Sequence, residues 1–340
     1  MTKTLSSEGP IAQASLSIGS RIPIPYVLLR RIARAECVVF LSHAVVIGQP
    51  PPHLEWTVPC KTAARFESDL AWLQRRFRFI SYEDVEASLT GARPLPRNAA
   101  LLTFDDGYAE LHSVVQPLLR RLGVPALGFL TASQLDNASL SADCKASLCL
   151  NAFSRLDGVA QGEVIRELGL PAVAGIQATA RRTLGGYLRG DNGVAQALWQ
   201  QLALDEVGYL RDVAPYLTST HVREMATDGW SFGGHGVLHR RLRDLSYDEL
   251  ESEIVGSCEV VARVAGQARS PFAFPYTGEG VPRSWLATIR DRHSRVGLYF
   301  DVWGLKREGC LVWHRVDIDD PKQSIATCVR RAHLVALVQR

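Results

Sequence analysis

The chain has 340 residues, which allows one large domain or two ordinary ones. Hydrophobic residues make up 46% and charged residues 21% of the sequence, a globular composition that excludes a disordered, collagen-like or coiled-coil protein. The formal net charge is only +3, so we expect no nucleic-acid partner and no binding to an anionic membrane.

Residues 1–35 form an N-terminal extension that lacks the pattern of a secretory signal. No continuous apolar run in it ends at a small-residue cleavage site. The sequence contains no stretch of ~20 apolar residues that would span a bilayer, and residues 26–35 are predicted to form a surface or docking helix. The seven cysteines are an odd number without CxxC spacing, which favours reduced thiols. These features predict a cytoplasmic protein.

Residues 36–133 predict alternating strands and helices. Residues 36–42 form a short apolar run that predicts a buried strand ending at His43. An amphipathic helix follows, indicated by apolar residues at helical spacing: Phe66, Leu70, Leu73 and Phe77. Residues 99–104 and 126–130 predict two further strands with a helix between them. A strand, a helix and a strand in this order predict a parallel βαβ unit.

Residues 134–222 show no clear strand pattern and are predicted to be a helical insertion. Two roles remain open for this insertion, a substrate-covering lid or a dimerisation or purely structural elaboration. The strand and helix alternation returns in residues 223–340, where Ser246 and Glu249 resemble a capping box at the start of a long helix. The sequence does not determine the oligomeric state.

Four segments place polar residues at the ends of predicted strands, where parallel β/α folds carry their active sites. The first is residues 103–107 (TFDDG), in which Asp105 and Asp106 follow a buried strand. Two adjacent carboxylates repel each other, so we expect a cation to neutralise one or burial to raise its pKa. The alternative is a helix cap with an extra solvated acid.

The second segment contains His235 and His239, two imidazoles four residues apart in a glycine-rich stretch. Such a pair can bind one metal ion, and a carboxylate from the first segment would complete an open catalytic site. The third segment, residues 272–278 (FAFPYTG), is a strand that ends in a turn, and the backbone N–H near Tyr276 is a candidate oxyanion donor. The fourth ends in His314 and Arg315, which either face the site or cap the sheet.

The motifs TFDDGY, HGVLH and FPY, in this order, resemble the polysaccharide deacetylase family, also called the NodB homology domain or carbohydrate esterase family four. The resemblance covers most of residues 36–320 and implies an α/β fold, a distorted (β/α) barrel of about seven parallel strands, here with a helical insertion. It also implies a hydrolase that removes an N-acetyl group from an amino sugar or glycan intermediate, as members in bacterial glycan gene clusters do.

By resemblance, Asp106, His235 and His239 hold a divalent metal, most commonly Zn²⁺, with Co²⁺, Ni²⁺ or Mn²⁺ as alternatives. Asp105 is then the general base and Tyr276 contacts the substrate through its backbone N–H.

The sequence departs from the family pattern in three places. Ala273 occupies the position of an arginine that orients the base, so Arg315 is a candidate replacement as well as a candidate substrate ligand. Thr277 replaces a glycine. The late motif that supplies a general acid matches His314 only with one extra residue.

Two alternatives to a sugar deacetylase remain. One is a deformylase or an amidohydrolase of a small non-sugar amide on the same fold. The other is a catalytically silent glycan-binding module.

Overall fold

The computed structural model describes residues 36–169 and 192–338, and the predicted docking helix at residues 26–35 lies outside these ranges. The strands are β1 (Cys37–Ser42), β2 (Val45–Val46), β3 (Lys61–Thr62), β4 (Arg78–Phe79), β5 (Ala99–Phe104), β6 (Ala126–Leu130), β7 (Trp230–Gly234), β8 (Ser270–Ala273), β9 (Val296–Asp301), β10 (Arg307–Glu308) and β11 (Val312–Asp317).

The α-helices in these ranges are α1 (Ala63–Gln74), α2 (Tyr82–Leu89), α3 (Gln116–Leu122), α4 (Ala142–Ser154), α5 (Gly158–Glu167), α6 (Asn192–Gln201), α7 (Glu206–Val213), α8 (Ser219–Thr227), α9 (Tyr247–Ala265), α10 (Arg283–Arg292) and α11 (Ile325–Val338). Helix α9 begins where the sequence predicts, because Ser246 forms a capping box with Glu249, and Ser81 forms another with Asp84 at the start of α2.

Seven parallel strands close into a barrel in the spatial order β1, β11, β9, β8, β7, β6 and β5, and β5 pairs with β1 to complete the ring. The expected seven-stranded parallel barrel is therefore confirmed. Closure places the carboxyl ends of all seven strands at one rim, where the loops that follow them meet.

The barrel is distorted in two places. Strand β5 pairs with β6 only through Thr103 and Phe104, because β4 occupies the same edge of β5 at Ala99 and Ala100. Strands β7 and β8 pair only at Gly234 and Phe272. These two seams have few paired residues, whereas β1 and β5 are paired along six residues.

Alternating side chains divide the strands between two apolar layers, as a barrel requires. Leu101 packs in an interior cluster with Leu127 and Phe300, whereas its neighbour Leu102 packs in a separate cluster with residues of the surrounding helices. Just beyond each strand end, the side chains that point inward therefore lie at the rim of the barrel.

The described residues between β6 and β7 are largely helical and comprise α4, α5, α6, α7 and α8. The predicted end of the insertion, residue 222, lies within α8, and α8 packs against β7 and α9. This last helix is thus the barrel's own crossover helix. The role of the insertion as a lid stays a prediction.

In the described part of the chain, no helix combines the length and apolar character needed to cross a membrane. All seven cysteines lie in the described ranges and are free thiols.

Candidate active site

The rim of the barrel brings together the predicted metal ligands. The Nε2 atoms of His235 and His239 lie 3.4 Å and 3.2 Å from the same oxygen, Oδ1 of Asp106. One ligand atom from each residue lies within 4.8 Å of the other two. Asp106 follows β5 and His235 follows β7, so barrel closure rather than sequence proximity forms this cluster.

The hydrogen bonding of His235 fits metal binding. Its Nδ1 lies 2.9 Å from the carbonyl oxygen of Ala273, which can only accept, so Nδ1 carries the proton. Nε2, the nitrogen that faces Asp106, is then the one available to a metal ion. Burial alone would raise the pKa of Asp106, but hydrogen bonds with His235 and His239 hold it well below its usual value. The carboxylate is therefore ionised, as a metal ligand must be.

Three site residues have left-handed backbone conformations, which are uncommon for residues other than glycine. The φ angles are 69° at Asp106, 55° at His239 and 59° at Tyr276. Such conformations persist where the surrounding structure enforces them, and they concentrate at functional sites. Gly107 also has a positive φ, and a Cβ atom there would lie 2.7 Å from a side-chain carbon of Leu130.

A buried carboxylate holds the loop that carries the two histidines. Oε2 of Glu253, on α9, accepts hydrogen bonds from the backbone N–H groups of Val237 and Leu238 at 2.7 Å and 3.0 Å. Glu253 is 4% exposed. This contact fixes the turn between His235 and His239, and sequence reasoning did not identify it.

Arg315 pairs with the predicted base. Its Nη1 and Nη2 donate to the two carboxylate oxygens of Asp105 at 2.6 Å and 2.8 Å. Both residues are buried, and Arg315 is fully buried. Burial raises the pKa of Asp105, but the charge and hydrogen bonds of Arg315, together with the charges of His235 and His43, outweigh it and the net shift is downward. The guanidinium reaches Asp105 from β11.

His314 is not brought to this cluster. Successive side chains of a strand point to opposite faces, and because Arg315 faces the interior, His314 faces outward. Its Nε2 lies 3.0 Å from Oε1 of Glu308, and its Nδ1 lies 3.3 Å from the backbone N of Trp303. The expectation that His314 supplies the general acid therefore does not fit its placement.

A different histidine lies beside Asp105. Ser42 pairs with Phe104 in the β1–β5 register, and the N–H of Asp105 donates to the carbonyl of Ser42, so His43 comes next to Asp105 at the rim. Nδ1 of His43 lies 2.5 Å from Oδ2 of Asp319.

The pKa of His43 is shifted upward. Burial lowers it, but the hydrogen bond and charge of Asp319, with the charges of Asp106 and Asp105, raise it to about 10. Sequence reasoning placed His43 at a strand end but did not identify its role, because its partner lies 276 positions away.

Tyr276 lies at the mouth of the site and is 39% exposed. Its ring centroid is 4.8 Å from that of His239, and the Arg241 guanidinium lies 4.8 Å from its ring. The hydroxyl donates to Oδ2 of Asp143, at the start of α4, at 2.7 Å. An exposed aromatic ring beside the predicted metal ligands offers a surface on which a sugar ring can pack.

Comparison with protein families gives an independent match. Residues 186–299 match the family model of polysaccharide deacetylases, a segment that contains His235 and His239 but not the TFDDG motif. Over 67 residues the chain is 34% identical to poly-β-1,6-N-acetyl-D-glucosamine N-deacetylase of Escherichia coli K12. This alignment covers 19% of the chain and 10% of that relative, so the chain spans about a tenth of the relative's length.

Solved structures show the same fold. The Streptococcus pyogenes deacetylase PplD, in complex with acetate, superposes with a TM-score of 0.54 at 17% identity, covering 86% of this chain and 95% of that chain. IcaB from Ammonifex degensii superposes with a TM-score of 0.51 at 16% identity, covering 87% and 97%. With the family match, these likenesses confirm the resemblance to the polysaccharide deacetylases.

Proposed function

We propose that this protein is a metal-dependent hydrolase that removes the N-acetyl group from an amino sugar within a glycan or glycan intermediate. The main observation behind the proposal is that two groups of residues lie together at one rim of the barrel. One group is the ligand cluster of Asp106, His235 and His239, and the other is the ion pair of Asp105 and Arg315. The family match and the name of the E. coli relative support an N-acetylated glycan as the substrate.

The donor set of two imidazole nitrogens and one carboxylate oxygen suits Zn²⁺ and similar divalent ions. A metal bound by Asp106, His235 and His239 supplies Lewis-acid polarisation of the amide carbonyl and lowers the pKa of water. Three protein ligands leave room for water and substrate, which a catalytic site needs and a closed structural site lacks.

Asp105 is the proposed general base, since it is ionised, buried and adjacent to the cluster. Oδ2 of Asp105 lies 3.9 Å from Nε2 of His235. Asp105 takes a proton from the attacking water, and the two hydrogen bonds from Arg315 fix the plane of its carboxylate. Arg315 is thus a positioning residue, because burial beneath Asp105 commits its guanidinium to that contact.

His43 is the proposed general acid. Its hydrogen bond to Asp319 keeps the proton on Nδ1 and orients the ring, as a carboxylate does for a catalytic histidine. The upward shift of its pKa keeps the ring protonated at neutral pH. His43 can therefore donate a proton to the amine nitrogen when the amide bond breaks, while the Tyr276 N–H stabilises the negative oxygen.

The direct test measures acetate release from N-acetylglucosamine oligosaccharides by the Zn²⁺- or Co²⁺-loaded protein. We expect acetate and free amine in equal amounts, with chelator-treated protein as the control. Faster release of formate from the matched N-formyl sugars would favour a deformylase. Binding of the oligosaccharides without release of any acyl group would favour a glycan-binding module and contradict the proposal.

Substitution of His43 by glutamine is expected to lower kcat on an N-acetyl sugar by about 10²–10⁴-fold, the usual contribution of general acid–base catalysis. The loss should be much smaller for an acetyl ester with a nitrophenolate leaving group, which departs without protonation. His293→Gln is the matched control, because His293 also pairs with a carboxylate, at 3.1 Å, but lies on the surface. Equal losses on both substrates would contradict an acid role for His43.

A further inference from the structure

The two predicted histidine ligands differ in what holds their second nitrogen. Nδ1 of His235 donates to a backbone carbonyl, that of Ala273, within the barrel. Nδ1 of His239 instead lies 3.6 Å from a carboxylate oxygen, Oδ2 of Asp143. Asp143 lies in α4, so this carboxylate comes from the helical insertion between β6 and β7.

The same oxygen of Asp143 also accepts the hydroxyl proton of Tyr276 at 2.7 Å. One carboxylate atom therefore lies beside a predicted ligand and accepts a hydrogen bond from the hydroxyl of the tyrosine at the mouth of the site. The Asp143 side chain is 18% exposed and that of His239 is 11% exposed, so little solvent screens the charge between them. Arg241 and His239 both lie close to the Tyr276 ring.

The start of α4 is hydrogen-bonded to Tyr216, near the end of the insertion. Tyr216 accepts a hydrogen bond from the N–H of Ser141 at 3.0 Å, and its hydroxyl lies 3.1 Å from Sγ of Cys144. These two anchors flank Asp143 in the sequence. Tyr216 in turn stacks on Tyr108 at 5.8 Å between ring centroids.

Backbone hydrogen bonds extend this attachment to the loop that carries the carboxylates. The N–H of Leu217 donates to the carbonyl of Gly107 at 2.8 Å, and the N–H of Ala109 donates to that of Pro215 at 2.9 Å. The insertion is thus paired with the chain directly after Asp106. Movement of this end of the insertion would break these contacts.

We propose that Asp143 is a positioning residue that makes the insertion part of the metal site: its carboxylate charge lies 3.6 Å from Nδ1 of His239 while it accepts a hydrogen bond from the hydroxyl of Tyr276. This inference rests on the proposed function. A carboxylate behind a ligating histidine fixes its tautomer and raises its basicity, and loss of such a partner usually lowers metal affinity about 10–100-fold. Asp143 acts through His239 and Tyr276.

Two substitutions distinguish the contact of Asp143 with His239 from its contact with Tyr276. Asp143→Asn removes the negative charge behind His239 but retains a carbonyl oxygen that can accept from Tyr276. Tyr276→Phe removes the hydroxyl but leaves the Asp143 charge in place. Asp212→Asn is the matched control, because Asp212 is in the same insertion but forms an exposed pair with Arg211, worth little energetically. His235→Ala, which removes a ligand, is the reference for loss of the site.

The experiment measures the affinity of the full-length protein for Zn²⁺ and Co²⁺ alone by competition with a chromophoric chelator, together with the visible spectrum of bound Co²⁺. We expect Asp143→Asn to weaken binding about 10–100-fold and to change the Co²⁺ spectrum. Tyr276→Phe should retain wild-type metal affinity and raise KM for the sugar. Asp212→Asn should retain both, and Asp143→Glu should recover part of the affinity.

Unchanged metal affinity and spectrum in Asp143→Asn, with binding lost in His235→Ala, would overturn the role of Asp143 and leave the proposed function intact. Unchanged affinity in His235→Ala would overturn the metal site itself, and this inference with it. Circular dichroism of each variant establishes that the compared proteins are folded. Metal affinity does not depend on which sugar is the substrate, so a failure of the role of Asp143 can be distinguished from a failure of the proposed function.

Discussion

Replacing Asp105 by asparagine is expected to lower the kcat of deacetylation by about 10²–10⁴-fold, because the amide cannot accept a proton from water. Metal affinity should change little, since the three predicted ligands are Asp106, His235 and His239. The measurement pairs acetate release at saturating substrate with the chelator competition used above. The combination of bound metal and lost turnover distinguishes a base from a ligand.

Asp105→Asn also disrupts a buried ion pair, so the control variant must lose a buried ion pair as well. Asp69→Asn provides it, because Asp69 is buried and lies 2.6 Å from Nζ of the buried Lys61, and neither residue is a predicted ligand or base. We expect Asp69→Asn to lower stability and to retain turnover. Activity of Asp105→Asn close to that of Asp69→Asn would remove Asp105 from the role of base.

Replacing Arg315 by methionine is expected to lower the free energy of unfolding by about 3–5 kcal/mol, because it leaves the carboxylate of Asp105 buried and unpaired. Methionine is long and apolar, so it fills most of the space without the charge. Arg315 is the largest of the groups that hold the pKa of Asp105 down against burial. Without it that pKa rises, the carboxyl takes up a proton, and turnover falls as well. Urea denaturation measures the free energy of unfolding. Arg315→Lys retains the positive charge but cannot make both hydrogen bonds to the carboxylate, so it separates the effect of the charge from that of the bidentate contact.

The double variant Asp105→Asn, Arg315→Met measures how much stability comes from the interaction between the two charges. Removing both charges at once leaves neither buried and unpaired, so we expect the double variant to be more stable than Arg315→Met alone. Turnover should stay low, because the base is absent. Additive losses of stability in the double variant would mean that the two side chains do not act as a pair.

The local pattern of the sequence predicted the strands that build the site. The apolar run before Asp105 is β5, and the run before His43 is β1, because short, continuous apolar runs are typical of strands buried on both faces. The metal cluster could also be predicted, since His235 and His239 are only four residues apart and the family motif adds Asp106. Chain order alone did not place Asp106 next to them.

The outcome for His314 and Arg315 shows where local pattern fails. Two adjacent polar residues at a strand end are equally good candidates by composition, and only the register of β11 in the barrel determines which one faces inward. Arg315 faces Asp105, 210 positions away, whereas His314 faces Glu308. A shift of one residue would exchange their roles, because the side-chain period of a strand is two.

The sequence by itself predicted the alternation of strands and helices and the two motifs that hold the predicted ligands, because these depend on short-range periodicity and on residues close together in the chain. The resemblance to a known family added the seven-stranded barrel. The tertiary structure alone decided which groups surround the predicted ligands. His43 meets Asp319 and Tyr276 meets Asp143 at separations of 276 and 133 residues. These partners are set by barrel closure and by the docking of the insertion, and no local pattern carries that information.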